Sequence, residues 1–271
     1  MTRGAAAFAI ALVAVNARAA GERRIRSINV GAQAVMTLVR GAIQHNVHSL
    51  ADAGRCLGAG AAGGYGAYEA KVLVRDGRVQ QGWLLANAAA SLSENAAAGK
   101  RPWAQLGYTL GPLRLRVAAF DRGADAYSYV DVSAIETIAL VYARGKNDSV
   151  HFRSGLIAFQ RNTPYPPSDG SGPYAGYTYG VFPGVYTFTG PDVWYHEVIH
   201  AIQSLQLDAV EPSFARLTFH PAPSARRRII RFDHLQLGLV SLANGNVLAH
   251  QRYEERWTEI EAYRLAQRSA P

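Results

Sequence analysis

A chain of 271 residues in which 49% of side chains are apolar can bury a sizeable core, which excludes a disordered tail. Lysine and arginine outnumber the acids by 28 to 20, for a formal net charge of +8; this admits an anionic membrane surface or wall polymer as a neighbour, but high arginine usage alone gives the same number. The single cysteine, Cys56, excludes an intramolecular disulfide and lies too far from the N-terminus for a lipoprotein anchor, so burial as a small apolar residue is its expected role.

Residues 1–20 read as a secretory signal: Arg3 supplies the charge, Ala5 to Val15 the apolar stretch, and Ala17-Arg18-Ala19 the small-residue cleavage site. The apolar stretch is shorter than the ~20 residues of a spanning helix, so a cleaved signal is expected rather than an anchor. Its removal takes away Arg3 and Arg18 and no acid, so the net charge of +8 falls to +6. Residues 21–271 are then expected to form a single α+β domain, exported to the periplasm or cell envelope.

From Ile28 to about Gly58, Val30, Ala34, Leu38 and Ile43 recur near helical spacing with no proline, which predicts one or two helices. The stretch from Gly58 to Ala67 is rich in glycine and alanine and reads either as a flexible loop or as a tight helix contact in a soluble core. Arg40, Glu69, Lys71 and Arg75 interrupt any candidate membrane span around it.

Between Leu113 and Phe188 the pattern changes to alternating, β-branched and aromatic runs. Strands are predicted at Leu113 to Phe120, Tyr127 to Val132, Ile138 to Tyr142, Val150 to Phe159 and Tyr177 to Phe188, with turns at Gly145 to Asp148 and a long surface loop at Pro164 to Pro173. An outer-membrane barrel is opposed by the small, uneven number of these runs and by a charged helical ending. After Gly190, Pro191 and Asp192 suit the first turn of a helix near 191–207, with Ile199, Ile202 and Leu205 as its apolar stripe. Residues Arg226 to Asn244 fit helix or strand equally, and a last helix is predicted near 252–267. The expected plan is α+β, with N-terminal helices, a central antiparallel β-rich segment and C-terminal helices.

The helix near 191–207 carries His196-Glu197-Val-Ile-His200, the His-Glu-x-x-His pattern. Residues four apart are neighbours on a helix surface, so two ring nitrogens can reach one tetrahedral ion at about 2.0–2.1 Å. Glu197, one position round from His196, is placed to act as general base on a metal-polarised water. A chain of this composition would carry the pattern by chance about one time in a hundred. The longer metzincin form needs Gly at 203 and His at 206, where this chain has Gln203 and Gln206. A third ligand is therefore sought elsewhere, and the C-terminal helix offers Glu259, with Glu261 and Glu255 as alternatives because helix phase is uncertain by a residue or two. Gln203, one turn beyond His200, is a candidate for contact with the ligands. An oxyanion stabiliser could come from Tyr195, His220, His234 or His250, among which the sequence does not choose. Arg226, Arg227 and Arg228 read as a solvated turn, and no phosphate-binding fingerprint or serine nucleophile elbow appears in credible context.

His-Glu-x-x-His followed some sixty residues later by Glu259-Ile-Glu261-Ala-Tyr263-Arg-Leu-Ala266 resembles the zinc site of gluzincin metallopeptidases, particularly the CAAX-protease-like and periplasmic chaperone-protease group. The resemblance covers about twenty residues. It implies zincin-like C-terminal helices, zinc as cofactor, His196, His200 and Glu259 as ligands, and Glu197 as the catalytic base. The family's supporting Asp falls on Tyr263, a departure that leaves this position's role open. The expected function is an exported zinc-dependent hydrolase, most simply a metallopeptidase, acting on a peptide or protein, with a membrane surface as an admissible neighbour and no nucleic-acid partner. The alternatives are a cell-envelope binding or scaffold protein with a non-catalytic metal site, and a membrane-associated β-rich structural protein.

Overall fold

The computed structural model describes residues 21–110, 113–118, 127–131, 149–161, 176–179, 182–186, 191–208, 230–231 and 257–266. The expected signal segment, the strand at Ile138 to Tyr142, the turn at Gly145 to Asp148 and the loop at Pro164 to Pro173 lie outside these residues, as does the segment 226–244 apart from residues 230 and 231.

The N-terminal region forms three helices: α1 (Glu22–Ile43), α2 (Leu50–Arg75) and α3 (Val79–Ala97). The break between α1 and α2 needs no proline. His45 takes a left-handed φ of 56°, and Ser49 caps α2 by accepting a hydrogen bond from the Asp52 N–H at 3.1 Å while its hydroxyl donates to Asp52. The glycine-rich stretch from Gly58 to Ala67 lies inside α2, which resolves its two readings in favour of a tight helix contact. A Cβ on Gly60 would sit 2.7 Å from Ala34 Cα, one on Gly64 2.8 Å from Val30 Cα, and one on Gly63 2.8 Å from the Ala89 carbonyl oxygen. Small residues on adjoining faces of α2 thus let α1 and α3 both approach to backbone contact.

Helix α3 was not expected from the sequence. Trp83, Ala86, Asn87, Ala89, Ala90, Ser91, Ser93, Glu94 and Asn95 are all buried while Leu84 is exposed, so polar and apolar residues do not separate onto two faces to give a helical period. Its polar residues serve the neighbouring strand. Asn87 accepts from the Thr109 N–H at 2.8 Å, Ser91 from the Gly107 N–H at 2.8 Å, and Asn95 donates to the Gln105 carbonyl at 2.7 Å. Four helical residues advance about 6 Å and two strand residues about 6.8 Å, so side chains four apart on the helix match backbone groups two apart on the strand. The outer edge of the strand is thereby covered.

That strand, β1 (Gln105–Leu110), opens a four-stranded sheet with β2 (Leu113–Ala118), β3 (Tyr127–Asp131) and β8 (Ile230–Arg231), in the order β1-β2-β3-β8. A second sheet holds β4 (Ser149–Arg153), β5 (Leu156–Arg161), β6 (Gly176–Tyr179) and β7 (Phe182–Tyr186), in the order β4-β5-β7-β6. The predicted run from Val150 to Phe159 is a hairpin, reversed at Ser154 and Gly155, which adopt φ of 53° and 87°. The run from Tyr177 to Phe188 likewise covers the β6–β7 hairpin. The expectation of an antiparallel segment holds for β1 with β2, β2 with β3, β4 with β5 and β6 with β7, whereas β7 joins β5 and β8 joins β3 in parallel.

Helices α4 (Pro191–Asp208) and α5 (Trp257–Ala266) pack on each other, and α4 also packs on α2, α3, β6 and β7. Trp194, Val198, Ile199, Ala201, Ile202 and Leu205 are all buried, which makes α4 the central helix of the core rather than a surface helix with one stripe. They join Ile25, Tyr68, Val74, Trp83, Phe159 and Leu265 in one hydrophobic cluster drawn from α1 to α5 and β5. The architecture is α+β. No helix among the described residues is long and apolar enough to cross a membrane.

Candidate metal centre

His196 and His200 project from one side of α4 and meet Glu259 from the first turn of α5. The two Nε2 atoms lie 3.0 Å apart, His196 Nε2 is 3.2 Å from Glu259 Oε2, and His200 Nε2 is 3.3 Å from Glu259 Oε1. A tetrahedral ion with bonds of about 2.0–2.2 Å sets its ligand atoms roughly 3.3–3.5 Å apart, so the three side chains fit one ion with little adjustment. His196, His200 and Glu259 are a group of metal-ligand type whose donor atoms all fall within 4.8 Å of one another.

The amide of Gln203 assigns the proton on His200. Its nitrogen donates to the Thr258 carbonyl at 3.1 Å and to Glu261 Oε2 at 2.7 Å, both of which only accept, so its oxygen is the atom 2.7 Å from His200 Nδ1. Nδ1 of His200 is therefore the donor, and in the neutral ring Nε2 presents a bare lone pair to the other two groups. Glu259 Oε2 is buried and makes no hydrogen bond of acceptable geometry, despite the 3.2 Å approach of His196. Acceptors facing one another in a buried site repel unless a positive charge sits among them.

The ionisation of the site shows the same demand. Burial favours the neutral form of Glu259, yet the close approach and charge of His196 and His200 outweigh it and hold the carboxyl down to about 2. Burial also opposes the charged form of His200, but Glu259 and Glu197 push it up to about 9. Without a metal, the cluster holds a proton where a cation could sit. Glu197 is buried beside the pair; burial raises its pKa, opposed by the two histidines and by Thr178. The Thr178 hydroxyl, on β6, donates to Glu197 Oε2 at 2.6 Å and fixes the carboxylate.

The other candidates separate cleanly. Glu261 does not reach the histidines: two residues along a helix turn it about 200° from Glu259, and it faces the N-terminal helices instead. There its carboxylate accepts from Asn29 Nδ2 at 2.6 Å and from the fully buried Lys71 ammonium at 2.9 Å. Tyr263, one turn beyond Glu259, lays its ring against that of His196, with centroids 4.6 Å apart. Tyr195 turns its hydroxyl to the bend between α2 and α3, where a Cβ on Gly77 would meet it at 3.4 Å. Glu255, His220, His234 and His250 lie outside the described residues. Cys56 is buried, with its thiol 3.5 Å from the Ala96 carbonyl.

Sequence reasoning missed Thr178, Asn29 and Lys71 as neighbours of the site. Nothing local marks Thr178 or Asn29. Lys71 did carry a signal: it continues the stripe Gly60, Gly64, Ala67, Lys71, Val74, in which every other member is small or apolar and buried. A lysine on such a stripe needs a buried partner. Compared with family models, curated proteins and solved structures, the chain matches none. The gluzincin likeness therefore rests on the two motifs alone.

Proposed function

We propose that this chain is a zinc-dependent hydrolase of gluzincin type, acting on peptides or proteins, with His196, His200 and Glu259 as ligands and Glu197 as the base. The observation that carries this reading is the convergence of two imidazole nitrogens and one carboxylate within 4.8 Å, beside a buried glutamate oriented by Thr178. Two imidazoles and a carboxylate suit zinc, and a three-ligand set leaves a position open for chemistry. When bound, such an ion acts as a Lewis acid that polarises a carbonyl and lowers the pKa of water. Glu197, held by Thr178 and made more basic by burial, takes up a proton at its carboxylate and returns it to the leaving amine. Export through residues 1–20 to the periplasm or cell envelope belongs to the same proposal.

The test separates binding from turnover. Zinc content of the purified mature protein is measured beside Glu197→Gln and His200→Ala. Wild type and Glu197→Gln should each hold one zinc, and His200→Ala should lose most of it. On a peptide panel, Glu197→Gln should fall by about 10²–10⁴ in rate, because an amide cannot accept the proton. A zinc-free wild type would end the metal reading. Zinc bound without turnover on any substrate would favour the envelope scaffold instead.

A further inference from the structure

Four polar side chains behind the ligands form a chain of hydrogen bonds that runs from the N-terminal helices to His200. Lys71 Nζ on α2 donates to Glu261 Oε2 and to Asn29 Oδ1, each at 2.9 Å. Asn29 on α1 donates from Nδ2 to the Ile25 carbonyl at 3.0 Å and to Glu261 Oε1 at 2.6 Å. Gln206 donates to Asn29 Oδ1 at 3.2 Å, and Gln203 donates to Glu261 as described above. Asn29, Lys71, Gln203 and Glu261 are all buried.

The direction of every bond in this chain is determined by its ends. An ammonium can only donate and a backbone carbonyl can only accept. Lys71 and the Ile25 carbonyl therefore settle the Asn29 amide, and the Thr258 carbonyl and the Glu261 carboxylate settle the Gln203 amide. Gln203 is left with its oxygen toward His200 and no way to reverse without placing its oxygen against two acceptors.

We propose that Lys71, Asn29, Glu261 and Gln203 form a relay that positions the metal ligand His200: it selects the Nδ1–H tautomer and the ring plane, so that metal affinity is set partly from α1 and α2. Gln203 is the positioning residue in direct contact, and Lys71, Asn29 and Glu261 hold it. This inference rests on the metal reading above. It goes beyond it by assigning a role to a buried lysine and two amides that the hydrolytic chemistry does not use.

The experiment measures zinc affinity by competition with a chelator, and solvent exchange of the His200 Nδ1–H in the zinc-loaded protein by 1H–15N NMR. Gln203→Met keeps the length of the side chain and removes the acceptor. It should weaken zinc by about 10–100-fold, the usual cost of losing a group that supports a ligand, and should speed exchange of that N–H. Lys71→Met should weaken zinc in the same direction without touching a ligand. Gln203→Asn keeps the amide but draws it back by one methylene, and should weaken zinc and speed exchange in the same direction as Gln203→Met. If Gln203→Met does not fold, the zinc-loaded wild type carries the test: its His200 Nδ1–H should exchange slowly with solvent, and fast exchange would overturn the relay. Wild type that binds zinc beside variants of equal affinity and unchanged exchange would overturn the relay while leaving the metal site standing. A wild type that binds no zinc removes both.

Discussion

Zinc binding should release a proton, and the amount should follow the ionisation of His200. In the metal-free protein His200 is raised from an ordinary 6.5 to about 9, with burial opposing its charge and Glu259 and Glu197 prevailing. At pH 7 the ring is thus about two units below its pKa and holds a proton on Nε2 as well as on Nδ1. A metal must displace that proton. Apparent affinity should therefore rise about tenfold per pH unit up to about pH 9 and level off above it, about a hundredfold in all from pH 7. The stability of the metal-free protein should move the opposite way. A group whose folded pKa is raised contributes fully below its unfolded value of 6.5 and loses that contribution as pH climbs to about 9. With 1.36 kcal/mol per unit, the loss is about 3 kcal/mol, a figure shared with Glu259 because the two titrate as a coupled pair. Calorimetry in buffers of differing ionisation enthalpy counts the protons, and urea titrations at pH 6.5 and 9 give the stability. Zinc affinity flat from pH 7 to 9, with no proton released, would refute the reasoning.

The tight helix contacts make a paired prediction. Gly64→Ala places a Cβ 2.8 Å from Val30 Cα and should destabilise by about 1–3 kcal/mol through overpacking, whereas Gly58→Ala meets nothing within 4 Å and should stabilise the helix by about 0.5–1 kcal/mol; urea midpoints of the two variants decide it. For export, the protein recovered from an envelope fraction should begin near Ala20 or Gly21, after the Ala17-Arg18-Ala19 site, as read by N-terminal sequencing; a start at Met1 would make the segment an anchor.

What was legible in the sequence followed from periodicity and spacing. Helix α4 announced itself through Pro191, Asp192 and the His196–His200 pair, and strands β2 to β7 through their aromatic and β-branched runs. Helix α3 was hidden because polar residues lie on its buried side and Leu84 on its exposed one, which removes the contrast that a helical period needs. The break between α1 and α2 did have a local signature, Ser49 followed three residues later by Asp52, which the reading of Ile28 to Gly58 by helical spacing alone passed over. The parallel pairings of β5 with β7 and β3 with β8 are tertiary choices with no local trace. In the site, the motif put Glu259 first with Glu261 and Glu255 as alternatives, since composition gives a helix without its phase. Packing chose the phase: Lys71 and Asn29 draw Glu261 to the N-terminal helices, which turns Glu259 to the histidines.

The glycines and the site are consequently not separate matters. Gly64 lies against the backbone of Asn29 and Val30, and Lys71, two helical turns further along the same stripe of α2, reaches the Asn29 side chain. The close approach that Gly64 permits is what lets one amide on α1 meet both Lys71 and Glu261. A Cβ at position 64 should therefore act at a distance from the ligands: as α1 is pushed outward, Asn29 loses its grip on Glu261 and Gln203 is held less firmly. Gly64→Ala should weaken zinc binding as well as lower the urea midpoint, while Gly58→Ala, on the open side of the same helix, should leave affinity unchanged. Chelator competition on the two variants, at a urea concentration where both are fully folded, separates this from a general loss of stability. Equal zinc affinity in the two would show that the packing of α1 on α2 does not reach the metal site.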